Sequence, residues 1–146
     1  MLDLIAQGSS PEQAVQMVTK GRKFIDYRQL SVIDIKGRSA SFTGSETLGT
    51  NAVVRGDGCI AAGNLLVSTE VPQAMVDSFS KHSNLHLAER LLLALQDGLD
   101  AGGEEGPILS AGIKVAHEHS WPLVDLRVDW ADEKPIDQLI ELWRNF

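Results

Sequence analysis

The residues with the clearest potential for chemistry are three alternating charges near the C-terminus, Asp125, Arg127 and Asp129. They lie in the segment Leu123–Trp130, whose apolar residues alternate with them, as expected for a β-strand with one charged face. An arginine between two carboxylates is held in a fixed orientation and can bind a substrate carboxylate or amide. The same row also fits a structural ion-pair network between two layers, and the residues alone favour that structural interpretation.

Other candidates are weaker. Arg28 and Thr43 are predicted to meet at the open end of a hairpin, and Ser110 is a further hydroxyl group suited to hydrogen bonding. No nucleophile-elbow, phosphate-binding, dinucleotide-binding or calcium-binding motif occurs. Cys59 lies among small residues, which favours a buried structural thiol over a nucleophile.

The histidines give no metal prediction. His117 and His119 flank Glu118 on what could be one strand face, but no third ligand follows at a recognisable spacing. An exposed turn is therefore favoured over a metal site. No metal and no cofactor is predicted.

The element that must position the polar candidates is the segment Arg28–Gly44. Two runs of β-forming residues flank Lys36-Gly37-Arg38, which predicts a hairpin with glycine at the turn. Leu30 and Val32 form an apolar face. The opposite face carries small hydroxyl groups, which suggests that another layer packs closely against it.

The remaining pattern predicts helices and strands in mixed order. Ser10-Pro11 with Gln13 predicts a capped helix start, and two apolar stripes predict helices from about Ser68 and over Leu85–Leu99. The leucines of the second stripe are expected in the core: Leu87, Leu91, Leu92, Leu95 and Leu99. Strands are predicted over Ala52–Arg55, Cys59–Leu65, Ile108–Ala116 and Leu123–Trp130, and a last helix over Pro135–Trp143. The pattern as a whole predicts one α/β (α+β) domain over residues 1–146 with largely antiparallel sheets.

The net charge and the composition argue against two classes of partner and indicate a compartment. A formal net charge of −7 argues against a nucleic acid or an anionic membrane as partner. No apolar run approaches the roughly 20 residues that span a bilayer. The single cysteine agrees with a reducing compartment, so we expect a cytoplasmic location.

Taken together, several segments resemble the bacterial and archaeal family called domain of unknown function 1028, in the N-terminal-nucleophile (Ntn) hydrolase superfamily. The resemblance rests on Tyr27–Gly44, Ala62–Leu66, Leu87–Leu95, Asp100–Gly103 and Val124–Asp129, in the family's order and spacing. It implies a four-layer αββα sandwich of antiparallel sheets and hydrolysis of an amide-type bond in a small substrate. By this resemblance, residues 1–146 correspond to the C-terminal two-thirds of the family's domain, and the N-terminal strands, which would carry the nucleophile, are absent from them.

The resemblance also implies a supporting site. Arg28, Thr43, Asn64, Ser110, Asp125, Arg127 and Asp129 would bind substrate, with Asn64 near an oxyanion and Arg127 on an anionic group. None of them would be the nucleophile. Ala62 departs from the family's usual Gln. The alternatives are an amidohydrolase-like protein completed by other strands, and a non-catalytic binding or assembly module. A homo-oligomer or a second chain that completes the sheets is the expected partner.

Overall fold

The computed structural model describes residues 1–146 as five α-helices and three antiparallel β-hairpins. The helices are α1 (Leu2–Ala6), α2 (Pro11–Thr19), α3 (Val71–Lys81), α4 (Leu87–Asp100) and α5 (Pro135–Asn145). The strands are β1 (Gln29–Ile33), β2 (Ser39–Thr43), β3 (Ala52–Gly56), β4 (Cys59–Gly63), β5 (Ala111–Val115) and β6 (Val124–Val128). Mixed helices and small antiparallel sheets confirm the α+β class. No helix combines the length and the hydropathy needed to cross a bilayer.

Helix α2 begins as its sequence predicts. The Ser10 hydroxyl accepts a hydrogen bond from the backbone N–H of Gln13 at 3.2 Å, and the Gln13 side chain accepts one from the N–H of Ser10 at 2.8 Å. Pro11 takes the first helical position, where it loses no hydrogen bond. This reciprocal cap fixes the start of the helix that covers the first hairpin.

The first hairpin, β1–β2, is confirmed with its turn at Gly37, which has a φ of 76°. The Asp34 carboxylate accepts hydrogen bonds from the backbone N–H groups of Lys36 and Arg38 and from the Arg38 side chain. On one face Val32 and Ala40 pack against Val15 of α2. The predicted alternation therefore places the apolar face under α2.

The small-residue face of this hairpin packs against the second hairpin, β3–β4, as the sequence suggests. The Gln29 side chain donates to the carbonyl of Gly63 at 3.1 Å, and Arg55 donates to the Ser41 hydroxyl at 3.2 Å. Helix α3 covers the other face of β3–β4. The complete four-layer sandwich implied by the resemblance stays a prediction.

The largest apolar cluster holds the third hairpin, β5–β6, against α4 and α5. Val124 and Val128 of β6 pack with Leu92 of α4 and Leu139 of α5, and all four side chains are at most 9% exposed. Because side chains alternate along a strand, the other face of β5–β6 carries the charged residues and is exposed. This cluster therefore positions the charged row.

Two local predictions are wrong. The predicted strand over residues 108–116 begins only at Ala111, so Ser110 precedes it. Pro107 cannot donate a ladder hydrogen bond, which agrees with an irregular approach to β5. The unusual backbone angle expected at Gly63-Asn64 falls instead on Leu65, with a φ of 54°.

The leucine stripe of α4 is only partly in the core. Leu92 is buried, but Leu87 and Leu91 are 43% and 37% exposed, so the prediction is wrong for these two residues. Leu91 and Leu95 line a cavity between β4 and β5, two strands that are not paired with each other. The part of the stripe that lines this cavity is therefore apolar although no strand covers it.

Candidate functional site

Four of the seven predicted site residues line one open groove on the exposed face of β5–β6. They are Ser110, Asp125, Arg127 and Asp129, and they share the groove with Lys114 and Gly112. The alternation of β6 turns Asp125 and Arg127 to the same side, while Ser110 stands just before β5. The structure therefore places the charged row and Ser110 along one groove.

The two carboxylates of the row have different partners. The Arg127 guanidinium donates to the Asp129 carboxylate at 2.6 Å, whereas Asp125 forms an ion pair with Lys114 at 3.0 Å. Lys114 and Asp125 are directly opposed in the strand register. The hydrogen bond to Asp129 and the charges of Asp129 and Asp125 raise the pKa of Arg127. Arg127 therefore stays positively charged, and Asp129 holds one side of its guanidinium group.

Lys114 is the groove residue that the sequence reasoning missed. It occupies an alternate position of a predicted strand, next to the strand that carries Asp125, and this pattern could have identified it. The residue opposite Arg127 is Gly112, and a Cβ built there would lie 3.4 Å from Cγ of Arg127. This distance is an ordinary van der Waals contact, so the arginine stem passes close over Gly112 without requiring a glycine there.

The row is not enclosed between two layers of the described chain. The side chains of Arg127 and Asp129 are 68% and 79% exposed, and that of Lys114 is 65% exposed. A structural network between layers would bury these groups. The structure thus leaves their remaining hydrogen-bonding capacity open to solvent.

The other three predicted residues lie elsewhere. Thr43 is at the open end of the first hairpin, where Gln29 donates to its hydroxyl at 3.5 Å. Arg28 is exposed, and its carbonyl accepts from the N–H of Gly44. Asn64 is half-buried and directly follows Gly63. None of the three lines the groove with Arg127.

A second cavity lies between the groove and the end of β4. Its volume is about 240 Å³, and its lining includes Ala62 and Gly63 of β4 together with Ser110. Ser110 therefore borders both this cavity and the charged groove. Among the predicted site residues, Ser110 alone lines both spaces, and the second cavity reaches the end of β4 that precedes Asn64.

The remaining nucleophile and metal candidates have ordinary surroundings. Burial raises the pKa of the Cys59 thiol, which is half-buried and unpaired. A raised pKa disfavours the thiolate that acts as a nucleophile. His117 and His119 are exposed in a loop, as predicted, and the His119 ring stacks on Trp121. No group of three His, Cys, Asp or Glu side chains is arranged to hold a metal ion.

Comparison with known proteins gives a family without an assigned activity. The model of the family of unknown function DUF1028 matches residues 1–139. Among solved structures, the chain is similar to protein SPO2555 from Silicibacter pomeroyi, also of DUF1028, with 38% sequence identity and a TM-score of 0.88. The similarity covers 99% of this chain and 63% of that protein, so the chain spans less than two thirds of its relative. No curated protein matches. The match over nearly the whole sequence shows that the chain belongs to the DUF1028 family.

Proposed function

We propose that residues 1–146 supply the substrate-binding groove of an amide-hydrolase-like protein of the Ntn type, acting on a small molecule. The observation that carries the proposal is the groove on β5–β6, where Ser110, Lys114, Asp125 and Arg127 converge. The family assignment gives no activity, and the groove and the resemblance to Ntn hydrolases support this proposal.

The arrangement suits a ligand that has both a carboxylate and an amide. Arginine has five N–H donors, and Asp129 accepts from only one terminal nitrogen of Arg127, which leaves donors for a ligand carboxylate. Asp125 can accept from an amide N–H, and the Ser110 hydroxyl can donate to an amide carbonyl. Two cations and two carboxylates in the groove balance each other, which disfavours a highly charged substrate such as a polyphosphate.

The groove binds and orients in this proposal, and the nucleophile comes from another segment. The lining of the groove contains no histidine or cysteine. Ser110 therefore lacks the histidine that most often activates a hydroxyl, and the amine of Lys114 is held in an ion pair with Asp125. In Ntn chemistry the nucleophile and its base belong to the first residue of a strand, which agrees with a contribution from polypeptide outside residues 1–146.

Titration with a matched pair of ligands tests the proposal. N-acetyl-L-alanine carries a carboxylate and an amide, and its N-methylamide replaces only the carboxylate by a neutral group. We expect nuclear magnetic resonance shifts at β5 and β6 with the acid, and binding about tenfold weaker for the methylamide or for Arg127→Gln.

Arg22→Gln is the matched control, because Arg22 is exposed in the loop after α2 and lines none of these cavities. It should bind the acid as the wild type does. Equal binding of both ligands, or full binding by Arg127→Gln, would contradict the proposal.

A non-catalytic binding module is the second candidate. It is favoured by the same absence of histidine and cysteine from the groove. The two candidates differ in turnover: the binding module predicts that N-acetyl-L-alanine stays intact even when this chain is co-expressed with the part of the Silicibacter pomeroyi protein that it does not match.

A further inference from the structure

A further pocket continues the charged groove past the end of β6. Arg127, Val128 and Asp129 line both spaces, so the pocket begins where the groove ends. The rest of its lining is Trp130 and four exposed residues of α5: Gln138, Glu141, Leu142 and Asn145. Its volume of about 850 Å³ leaves room for a bulky side chain of a ligand. We call this space the α5 pocket.

Trp130 gives the α5 pocket an aromatic surface. It follows the last residue of β6 by two positions and is 68% exposed. Its indole N–H donates to the Asp132 carboxylate at 3.2 Å, and this hydrogen bond limits the rotation of the ring. An aromatic ring that is already held in one orientation binds a ligand at a low cost in conformational entropy.

Leu142 adds a second apolar side chain to the same pocket. It is 42% exposed. A single exposed apolar side chain is ordinary, whereas two large ones around one concave space are typical of a binding surface. Trp121 illustrates the ordinary case, because it is 64% exposed in the loop between β5 and β6 and lines neither the groove nor the pocket.

The polar groups of the α5 pocket favour an uncharged occupant. Glu141 takes part in none of the ion pairs of the structure, so its carboxylate repels a negative charge placed beside it. The side-chain amides of Gln138 and Asn145 already donate to backbone carbonyls, at 3.1 Å and 2.9 Å. An aromatic side chain therefore suits the pocket better than an acidic one.

Arg127 joins the pocket to the groove. Asp129 occupies one side of its guanidinium group, and the remaining N–H donors can bind a ligand carboxylate. The α-carbons of residues three positions apart lie at most about 11 Å from each other. The arginine side chain and a ligand side chain together span such a distance, so a carboxylate on Arg127 places the ligand's side chain within reach of Trp130.

We infer that the α5 pocket is the side-chain subsite of the groove and that its occupant is the aromatic side chain of an N-acyl amino acid, an assignment that rests on the proposed function. Arg127 binds the carboxylate of this ligand. Its aromatic ring stacks on Trp130 and packs against Leu142. Trp130 is then the specificity-determining residue, and N-acyl aromatic amino acids are the substrate class.

Three ligands that differ only in their side chains test the inference: N-acetyl-L-phenylalanine, N-acetyl-L-alanine and N-acetyl-L-aspartate. In titrations followed by nuclear magnetic resonance, we expect the phenylalanine ligand to bind about tenfold more tightly than the alanine ligand, because it adds an aromatic pair and buried apolar area. The aspartate ligand should bind more weakly than the alanine ligand. The indole N–H signal of Trp130 should shift with the phenylalanine ligand alone.

A matched pair of variants separates Trp130 from aromatic residues in general. Trp130→Ala should abolish the tenfold preference and bind the alanine ligand as the wild type does, since the groove around Arg127 is unchanged. Trp121→Ala removes the same type of side chain, with similar exposure, outside both spaces, so it should keep the preference. Circular dichroism checks that both variants are folded.

Three results overturn the inference. They are equal affinity of the wild type for the alanine and phenylalanine ligands, a preference that Trp130→Ala retains, and a preference that Trp121→Ala also loses. If the alanine ligand binds through Arg127 but the phenyl group adds no affinity, the inference fails and the proposed function stands. If none of the three ligands binds, the proposed function fails and the inference fails with it.

Discussion

Replacing Leu139 by alanine tests whether α5 positions the charged strand through the C-terminal cluster. Leu139 is 0% exposed and packs in the cluster that contains Val124 and Val128 of β6. Removing its buried carbons costs about 2 kcal/mol in transfer free energy, and the cavity left behind brings the expected loss to about 3–4 kcal/mol. For 146 residues the entropy of unfolding is about 0.3 kcal/mol per degree, so the melting temperature should fall by about 10–13 °C.

Leu142 provides the control on the same helix. It is 42% exposed, so Leu142→Ala makes the same chemical change with little loss of burial and should cost less than about 1 kcal/mol. Urea unfolding followed by circular dichroism measures both variants, with the midpoint and the slope fitted separately. Equal losses in the two variants, or a loss below about 1 kcal/mol for Leu139→Ala, would refute the role assigned to the cluster.

Two further changes test the first hairpin. Burial of the Asp34 carboxylate acts to raise its pKa, but hydrogen bonds from the Arg38 side chain and from the N–H groups of Arg38 and Lys36 outweigh it and hold the pKa below 3.8. Because the pKa is lowered in the folded state, the ionised carboxylate stabilises the protein above about pH 5, and this stabilisation is lost as the pH falls through the folded-state pKa. The stability difference between wild type and Asp34→Asn should therefore shrink between pH 5 and pH 2 in urea unfolding. A constant difference would contradict this assignment. Gly44→Ala would overlap the backbone carbonyl of Asp26 and should cost about 1–3 kcal/mol or more. Gly112→Ala, whose Cβ meets only ordinary contacts, should be neutral or stabilising by up to about 1 kcal/mol, and the reverse order in thermal unfolding would refute the comparison.

Much of the local structure follows from the sequence because local rules decide it. The Ser10–Gln13 cap and the Gly37 turn depend on residues within four positions of each other, and both are found as predicted. The limits of β5 were harder to predict. The apolar pattern continues through Ile108 and Leu109, but the ladder with β6 begins only at Ala111.

The charged groove was predictable in composition but not in pairing. Alternation along β6 places Asp125 and Arg127 on one face whatever the neighbouring strand is. The partner of Asp125 depends on the register between β5 and β6, which sets Lys114 opposite it. Register is a tertiary property, and the sequence of one strand does not contain it.

The unequal burial of the α4 leucines could not have been predicted from their spacing. Leu91, Leu92 and Leu95 have the same spacing whether their cover comes from the described chain or from another segment, because periodicity reports only that a face is apolar. The structure distinguishes neighbouring leucines that the pattern treats alike, since Leu92 is 2% exposed in the C-terminal cluster while Leu91 is 37% exposed.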